Sequence, residues 1–246
     1  MLATRAVRSS VRCLLAVALV ALALAGTAGA AATDPQLQLA PADQAWAESI
    51  LLTPADLGPG WQSASEGGEG SATDGTASAL CPGFNPNESD LVLTGGSSSG
   101  SFARGGMFVA SSGSTVWQTA EHAQADWDRM VQPQLLTCMG AALASGSTKK
   151  LKVVVRSKQR LPVASFTART AAYRVAFTFQ LTRKVKGKTK RTSLPATLDL
   201  VLFGSGRATA LLFFVSLGPK PLSAGYEQSV AQAISQRLGK DPQAAS

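Results

Sequence analysis

The sequence predicts an α+β domain: a twisted antiparallel sheet, a meander of about five strands, with helices covering one face. Three observations carry that expectation. Apolar and polar residues alternate through "TAAYRVAFTFQLTR" and its neighbours in the second half. Apolar stripes at helical spacing flank that region on both sides. Short glycine-bearing turns join the alternating segments, and links that short require antiparallel pairing.

The chain opens with "MLATRAVRSSVR", which carries Arg5, Arg8 and Arg12 and no acid. An apolar run, "CLLAVALVALALAG", and a stretch of small residues follow. A basic start, an apolar middle and an A-x-A end describe a secretory signal peptide over residues 1–30. Cutting is expected after Ala30, with Ala32 the second choice. The apolar run is shorter than the ~20 residues of a membrane span, and Cys13 sits at its start and not at the cleavage point, so it does not mark a lipid anchor. The expected destination is outside the cell, free or resting at the envelope.

Residues 31–40 read as a loose leader, residues 41–240 as a single α+β domain and residues 241–246 as a frayed tail. "PADQAWAESILL" has Trp46, Ile50 and Leu51 at helical spacing. In "TPADLGPGW", Thr53 caps a turn, Pro54 takes the first helical position and Gly58-Pro59 end it. "SASEGGEGSATDGTAS" and "TGGSSSGS" read as two loose patches. Gly95-Gly96 lead into no lysine, which excludes a phosphate-binding loop. "FARGGMFVASSGSTVWQ" is one long bent strand or two short ones. Thr119 then caps a helix whose stripe is Ala123, Trp127, Met130, Val131, Leu135, Cys138 and Ala142, with Pro133 kinking or restarting it.

Four strands follow. In "KKLKVVVRSKQRL", Leu151, Val153 and Val155 point one way and Lys150, Lys152, Arg156, Lys158 and Arg160 the other. Tyr173, Val175, Phe177, Phe179 and Leu181 alternate with polar residues. "KVKGKTK" turns the chain, "SLPATLDLVLF" returns it with Pro195 at an irregular or edge position, and "GSGR" makes a tight turn. "ATALLFFVSL" is apolar on both faces and reads as a central strand. Ser223 opens a last helix with Tyr226, Val230, Ile234 and Leu238 on one stripe.

With the signal removed, Cys81 and Cys138 remain in an oxidising compartment, and their pairing in one disulfide is the leading reading. Two free structural thiols are the alternative. A nucleophilic Cys138 needs a base, and the only histidine, His122, lies ~24 Å away along a continuous helix. Zinc is excluded by ligand count. Asp126 and Asp128 do not face each other on a helix, and Asn85, Asn87, Glu88 and Asp90 lack the spacing of a calcium loop. No catalytic residue, metal ligand or cofactor is therefore expected, and the protein reads as non-enzymatic.

Charge is uneven. The whole chain has 23 basic and 15 acidic residues. Residues 33–148 hold 2 basic and 12 acidic, a net of 2 − 12 = −10; residues 149–246 hold 18 basic and 3 acidic, a net of 18 − 3 = +15. Either the two halves pack side by side and their fields partly cancel, or a basic face meets an anionic partner. Nucleic acid is excluded by compartment and by the lack of aromatics among the basic residues.

"LLTPADLGPGW", Cys81-Pro82, "TAEHAQADWDRMVQPQLLTCM" and "PLSAGYEQSVAQAISQRL", together with the arginine-bearing strands, resemble a class of secreted actinobacterial sensor-type domains. That class takes in the extracellular domain of the mycobacterial kinase PknH, LpqN and the PsbP-like group. The resemblance runs from Leu51 to Leu238. It implies an antiparallel sheet cupped by helices, with a cleft for a small molecule. This chain has one cysteine pair where the kinase domain has two, and no binding residue carries over.

Three functions follow as expectations, in descending order. One is a binding or sensor-like domain for a small or apolar ligand, with Tyr173, Val175, Phe177 and Phe179 as the cleft wall. The second is an envelope adhesion module, with Arg183, Lys184, Lys186, Lys188, Lys190 and Arg191 docking on anionic polymers or lipid headgroups. An unidentified hydrolase is a third.

Overall fold

The computed structural model describes residues 34–64, 87–185 and 188–241. The signal segment lies outside them. No helix among the described residues is long and apolar enough to cross a membrane.

In chain order the elements are β1 (Gln36–Leu37), α1 (Pro41–Ile50), α2 (Pro54–Leu57), β2 (Trp61–Ser63), β3 (Val92–Ser98), β4 (Phe102–Arg104), β5 (Phe108–Trp117), α3 (Ala120–Met130), α4 (Pro133–Ser145), β6 (Leu151–Leu161), β7 (Arg169–Val185), β8 (Lys188–Ser205), β9 (Ala208–Leu217) and α5 (Ala224–Leu238). The fold is α+β, as expected. The sheet is larger, with nine strands in the order β1-β3-β5-β9-β8-β7-β6, and β2 and β4 attached beside β5. It is mixed, because β1 runs parallel to β3.

The local signals hold where turn and cap chemistry decides. The Thr53 side chain and the Asp56 carboxylate form a reciprocal cap on α2. Thr119 caps α3 and Ser223 caps α5, each accepting from a backbone N–H in the first turn. Pro133 starts α4 anew after a break at Val131 and Gln132, so the expected single stripe is split over two helices. Pro195 lies in β8, with its carbonyl accepting from Gly218 N–H where β9 has just ended at Leu217. Its missing N–H points the same way, past the end of β9, which is why a central strand tolerates it.

Three expectations are corrected. The "TGGSSSGS" stretch is not loose: residues through Ser98 form β3, paired with β5. Gly95 lets α1 lie directly on this strand, since a Cβ there would meet the Asp43 carbonyl oxygen at 2.4 Å. The amide of Gln44 completes the contact, accepting from Gly96 N–H and donating to its carbonyl. In the leader, Gln36 and Leu37 add a strand beyond β3.

The second correction concerns the faces. Adjacent strand residues point to opposite sides of a sheet. Ala172, Val201, Phe203, Ala210, Leu212 and Phe214 pack with Trp46 and Ile50 of α1 and Val230 and Ile234 of α5. Their neighbours Ala171, Tyr173, Val175, Leu200 and Leu202 pack with Leu135, Cys138 and Met139 of α4 and with Trp127 and Met130 of α3. Helices therefore cover both faces, because β8 and β9 are apolar on both sides.

The third is in β6. The pairing with β7 shifts between Val155 and Ser157, which makes Arg156 a bulge residue. One extra residue exchanges the faces of everything after it. Lys152 and Arg156 stand on the α5 side, where Arg156 Nε donates to Thr178 Oγ1 at 3.2 Å. Lys158 and Arg160 pair with Val175 and Tyr173, which places them on the α4 side. The Lys158 stem lies over Gly140 of α4.

Candidate functional site

The β7–β8 hairpin outruns its neighbours. β6 begins at Leu151, opposite Leu181, and β9 ends at Leu217, opposite Ala196. Thr182 N–H still donates to the Lys150 carbonyl; beyond it the two strands pair with each other alone, from Arg183 and Lys190 out to Val185 and Lys188. The result is a projecting two-stranded ribbon. Arg183, Lys184, Lys190 and Arg191 are all exposed on it. Arg183 lies directly opposite Lys190, a like-charge cross-strand pair that costs stability unless something anionic sits against it. Lys188 is in β8 opposite Val185, and Lys186 lies outside the described residues.

The charge asymmetry becomes spatial. The acidic half supplies β1, β3, α1 and α3 at one end of the strand order; β6 and the ribbon stand at the other. The two halves do neutralise each other at set points: Arg207 with Asp43, and Arg237 with Asp56. Among the described residues no ion pair reaches Arg183, Lys184, Lys190 or Arg191.

On the α5 side, the sheet surface between α5 and the ribbon carries polar and basic residues from three strands. Lys152 faces Gln180, and Thr182 faces Arg191. On the α4 side of the same strands, Leu151, Val153, Phe177, Phe179 and Ala196 are buried together.

Where this polar surface runs under the start of α5, two carboxyl groups meet. Asp199 is fully buried and Glu227 is 4% exposed. Arg174 donates to both oxygens of Asp199, from Nε at 2.5 Å and Nη2 at 2.8 Å, and its Nη2 lies 3.8 Å from Glu227 Oε1. Burial first, and the Asp199 charge second, push the Glu227 carboxyl up to about 8. Glu227 thus keeps its proton through neutral pH, which lets the two carboxyl groups share one buried site. The arrangement can hold a proton and clamp α5 to β7 and β8. Composition and spacing carried no sign of it, since these residues are far apart in sequence and meet through strand pairing and the seating of α5.

The remaining sequence-derived candidates fall as follows. Tyr173, Val175, Phe177 and Phe179 are 3, 0, 3 and 8% exposed, packed in the two apolar clusters on the α4 side. Cys138 is buried on α4 among Leu135, Met139 and the β7 and β8 side chains. Cys81 and Asn85 lie outside the described residues. His122 accepts from Val92 N–H through Nδ1, tying α3 to β3. Asp126 is buried and Asp128 exposed, so the two do not meet. Asp90 is paired with Arg129.

No protein-family model matches the sequence, and no curated protein does. Among solved structures, the chain is similar to the extracellular domain of PknH from Mycobacterium tuberculosis. The similarity has 11% sequence identity and a TM-score of 0.42, and it covers 81% of this chain and 98% of that one. It is a coarse resemblance of fold.

Proposed function

We propose that this is an exported, non-enzymatic domain that docks on a linear anionic polymer of the cell envelope through the β7–β8 ribbon. The observation that carries the reading is the ribbon itself: exposed cations project past both neighbouring strands, and among the described residues none has an ionic partner. Arg183 and Lys190 share one face of the ribbon, and Lys184 and Arg191 share the other, because adjacent strand residues point to opposite sides. A flexible chain can contact cations on both faces, whereas a flat headgroup plane meets one face at a time. Export rests on the basic, apolar and A-x-A segments at the start of the sequence. The apolar-cleft reading has less support, because its four wall residues are packed core.

Long-chain polyphosphate is the probe. The protein is expected to bind it at low salt and to weaken steeply as salt rises, because exposed charges are screened within about 8 Å at physiological ionic strength. Changing Arg183, Lys184, Lys186, Lys188, Lys190 and Arg191 together to Gln should abolish binding while leaving the melting temperature in place. Binding that is indifferent to salt, or retained by the variant, refutes the ribbon as the docking site. Tighter binding to anionic lipid vesicles than to polyphosphate replaces the polymer with a membrane surface.

A further inference from the structure

Arg104 ends the short strand β4, where it pairs with Trp61 of β2 and Phe108 of β5. Its guanidinium carbon lies 5.1 Å from the Trp61 ring centroid, 5.0 Å from Phe108 and 5.4 Å from Tyr226 of α5. The walls are themselves fixed. Trp61 and Tyr226 are parallel within 3°, and the Tyr226 hydroxyl donates to the Leu57 carbonyl at 2.8 Å. Gly60 flanks the arginine stem, and a Cβ built on it would lie 3.6 Å from Arg104 Cδ.

Other half-buried arginines among the described residues direct their N–H groups to protein acceptors. Arg129 bonds Asp90, Arg174 bonds Asp199, Arg207 bonds Asp43 and Asp241, and Arg237 bonds Asp56 and a carbonyl. Arg104 is also half-buried, yet no hydrogen bond or ion pair to a described residue engages it. Aromatic faces attract the face of a guanidinium but leave its in-plane N–H fork unsatisfied. Held in this way, the fork loses little conformational freedom when an oxyanion arrives, and its geometry matches a carboxylate or a phosphate in two parallel bonds.

We propose that Arg104, clamped by Trp61, Phe108 and Tyr226, is a preorganised binding site for a single oxyanionic group, a carboxylate or phosphate, on a small ligand. The site is separate from the ribbon. The cross-strand row from Arg104 runs through Phe108, Ser216, Thr197 and Ala176, four strand spacings of about 4.8 Å each. It stands or falls independently of polymer docking.

Inorganic phosphate and acetate are the probes, each titrated at constant ionic strength with chloride as the balancing anion. The readouts are the Arg104 Nε–H and Trp61 indole N–H resonances in nitrogen-correlated NMR spectra. Both should move saturably, and the melting temperature should rise with the same midpoint. Arg104→Gln should abolish the indole shift. Arg104→Lys, which keeps the charge and loses the fork, should bind about tenfold more weakly. The six-fold ribbon variant should respond as the unmodified protein does. A linear or absent response in the unmodified protein overturns the site. So does a response that survives Arg104→Gln. A lysine variant that binds as well as arginine overturns the fork geometry, leaving charge alone.

Discussion

Arg207 and Asp43 meet across 164 residues of chain, with Nη1 and Nη2 of the arginine each donating to one carboxylate oxygen at 3.0 Å. The same guanidinium donates to both oxygens of Asp241 and to the Trp117 carbonyl. Its five N–H groups are therefore all used, and its face lies over Trp46. The hydrogen bond from Arg207 holds the Asp43 carboxyl below the usual carboxylate range, although burial opposes it. The tight β8–β9 turn, the helix α1 and the chain after α5 are joined at one side chain.

Asp43→Ala should lower unfolding free energy by about 2–3 kcal/mol, because it removes two charge-assisted hydrogen bonds from a largely buried guanidinium that keeps Asp241 as its remaining charge partner. Removing Arg207 as well should cost much less than the sum of the two single changes. Denaturant unfolding of the four proteins in the cycle measures the coupling, and additive losses would show that the pair is not a unit.

The Glu227–Asp199 contact makes stability depend on pH with a definite sign. Glu227 titrates near 4.5 when unfolded and near 8 when folded. Between those values the folded state holds the extra proton, so stability falls as pH rises and the contribution is gone above about 8. Glu88, raised to about 7, and Asp126, raised to about 6, both chiefly by burial, add slopes of the same sign. Glu227→Gln should flatten the decline between about pH 5 and pH 8 while changing little at pH 5 itself. Parallel melting curves for the two proteins across that range would contradict the assignment.

Gly95→Ala should destabilise by about 1–3 kcal/mol, the usual cost of forcing volume into a packed interface. The added methyl would strike the α1 backbone at Asp43, which cannot swing away as a side chain does. Gly225→Ala is the control. It sits in the first turn of α5 with nothing within 4 Å of the new methyl, and a neutral or slightly stabilising effect is expected. Thermal melts of the two variants should differ in sign or at least severalfold in size.

Cys138 and Cys81 are expected to form one disulfide when the protein is produced in an oxidising compartment. Non-reducing peptide mapping should recover the two cysteine peptides as a linked species. Cys138→Ser and Cys81→Ser should each lose about 4 kcal/mol, the chain-entropy figure for so long a loop, and the double variant should lose no more than either. Recovery of both thiols after alkylation without reductant would overturn the pairing.

Much of the fold could be read directly. The alternation at Tyr173 to Leu181, the caps at Thr53, Thr119 and Ser223, the restart at Pro133 and the turn at Gly206 are local, and each element stands where its own residues put it. The central place of "ATALLFFVSL" followed from its two apolar faces. The basic hairpin was also legible, since the alternating strands on either side of "KVKGKTK" are joined by a short turn.

What stayed hidden was long-range. Whether Gly95 lies in a loop or a strand depends on α1 descending onto it, which no window around "TGGSSSGS" contains. The direction of Lys158 and Arg160 turned on a single bulge at Arg156, because the side-chain period of a strand is two and one inserted residue reverses it. Arg104, Arg207 and the Asp199–Glu227 pair gain their character from partners that strand order and helix docking bring together. The sequence by itself determined the elements and their caps, through side-chain periodicity and turn chemistry, which act within a few residues. Only the tertiary structure decided which faces the helices cover, which charges find partners and which are left projecting, because those depend on pairings across the whole chain.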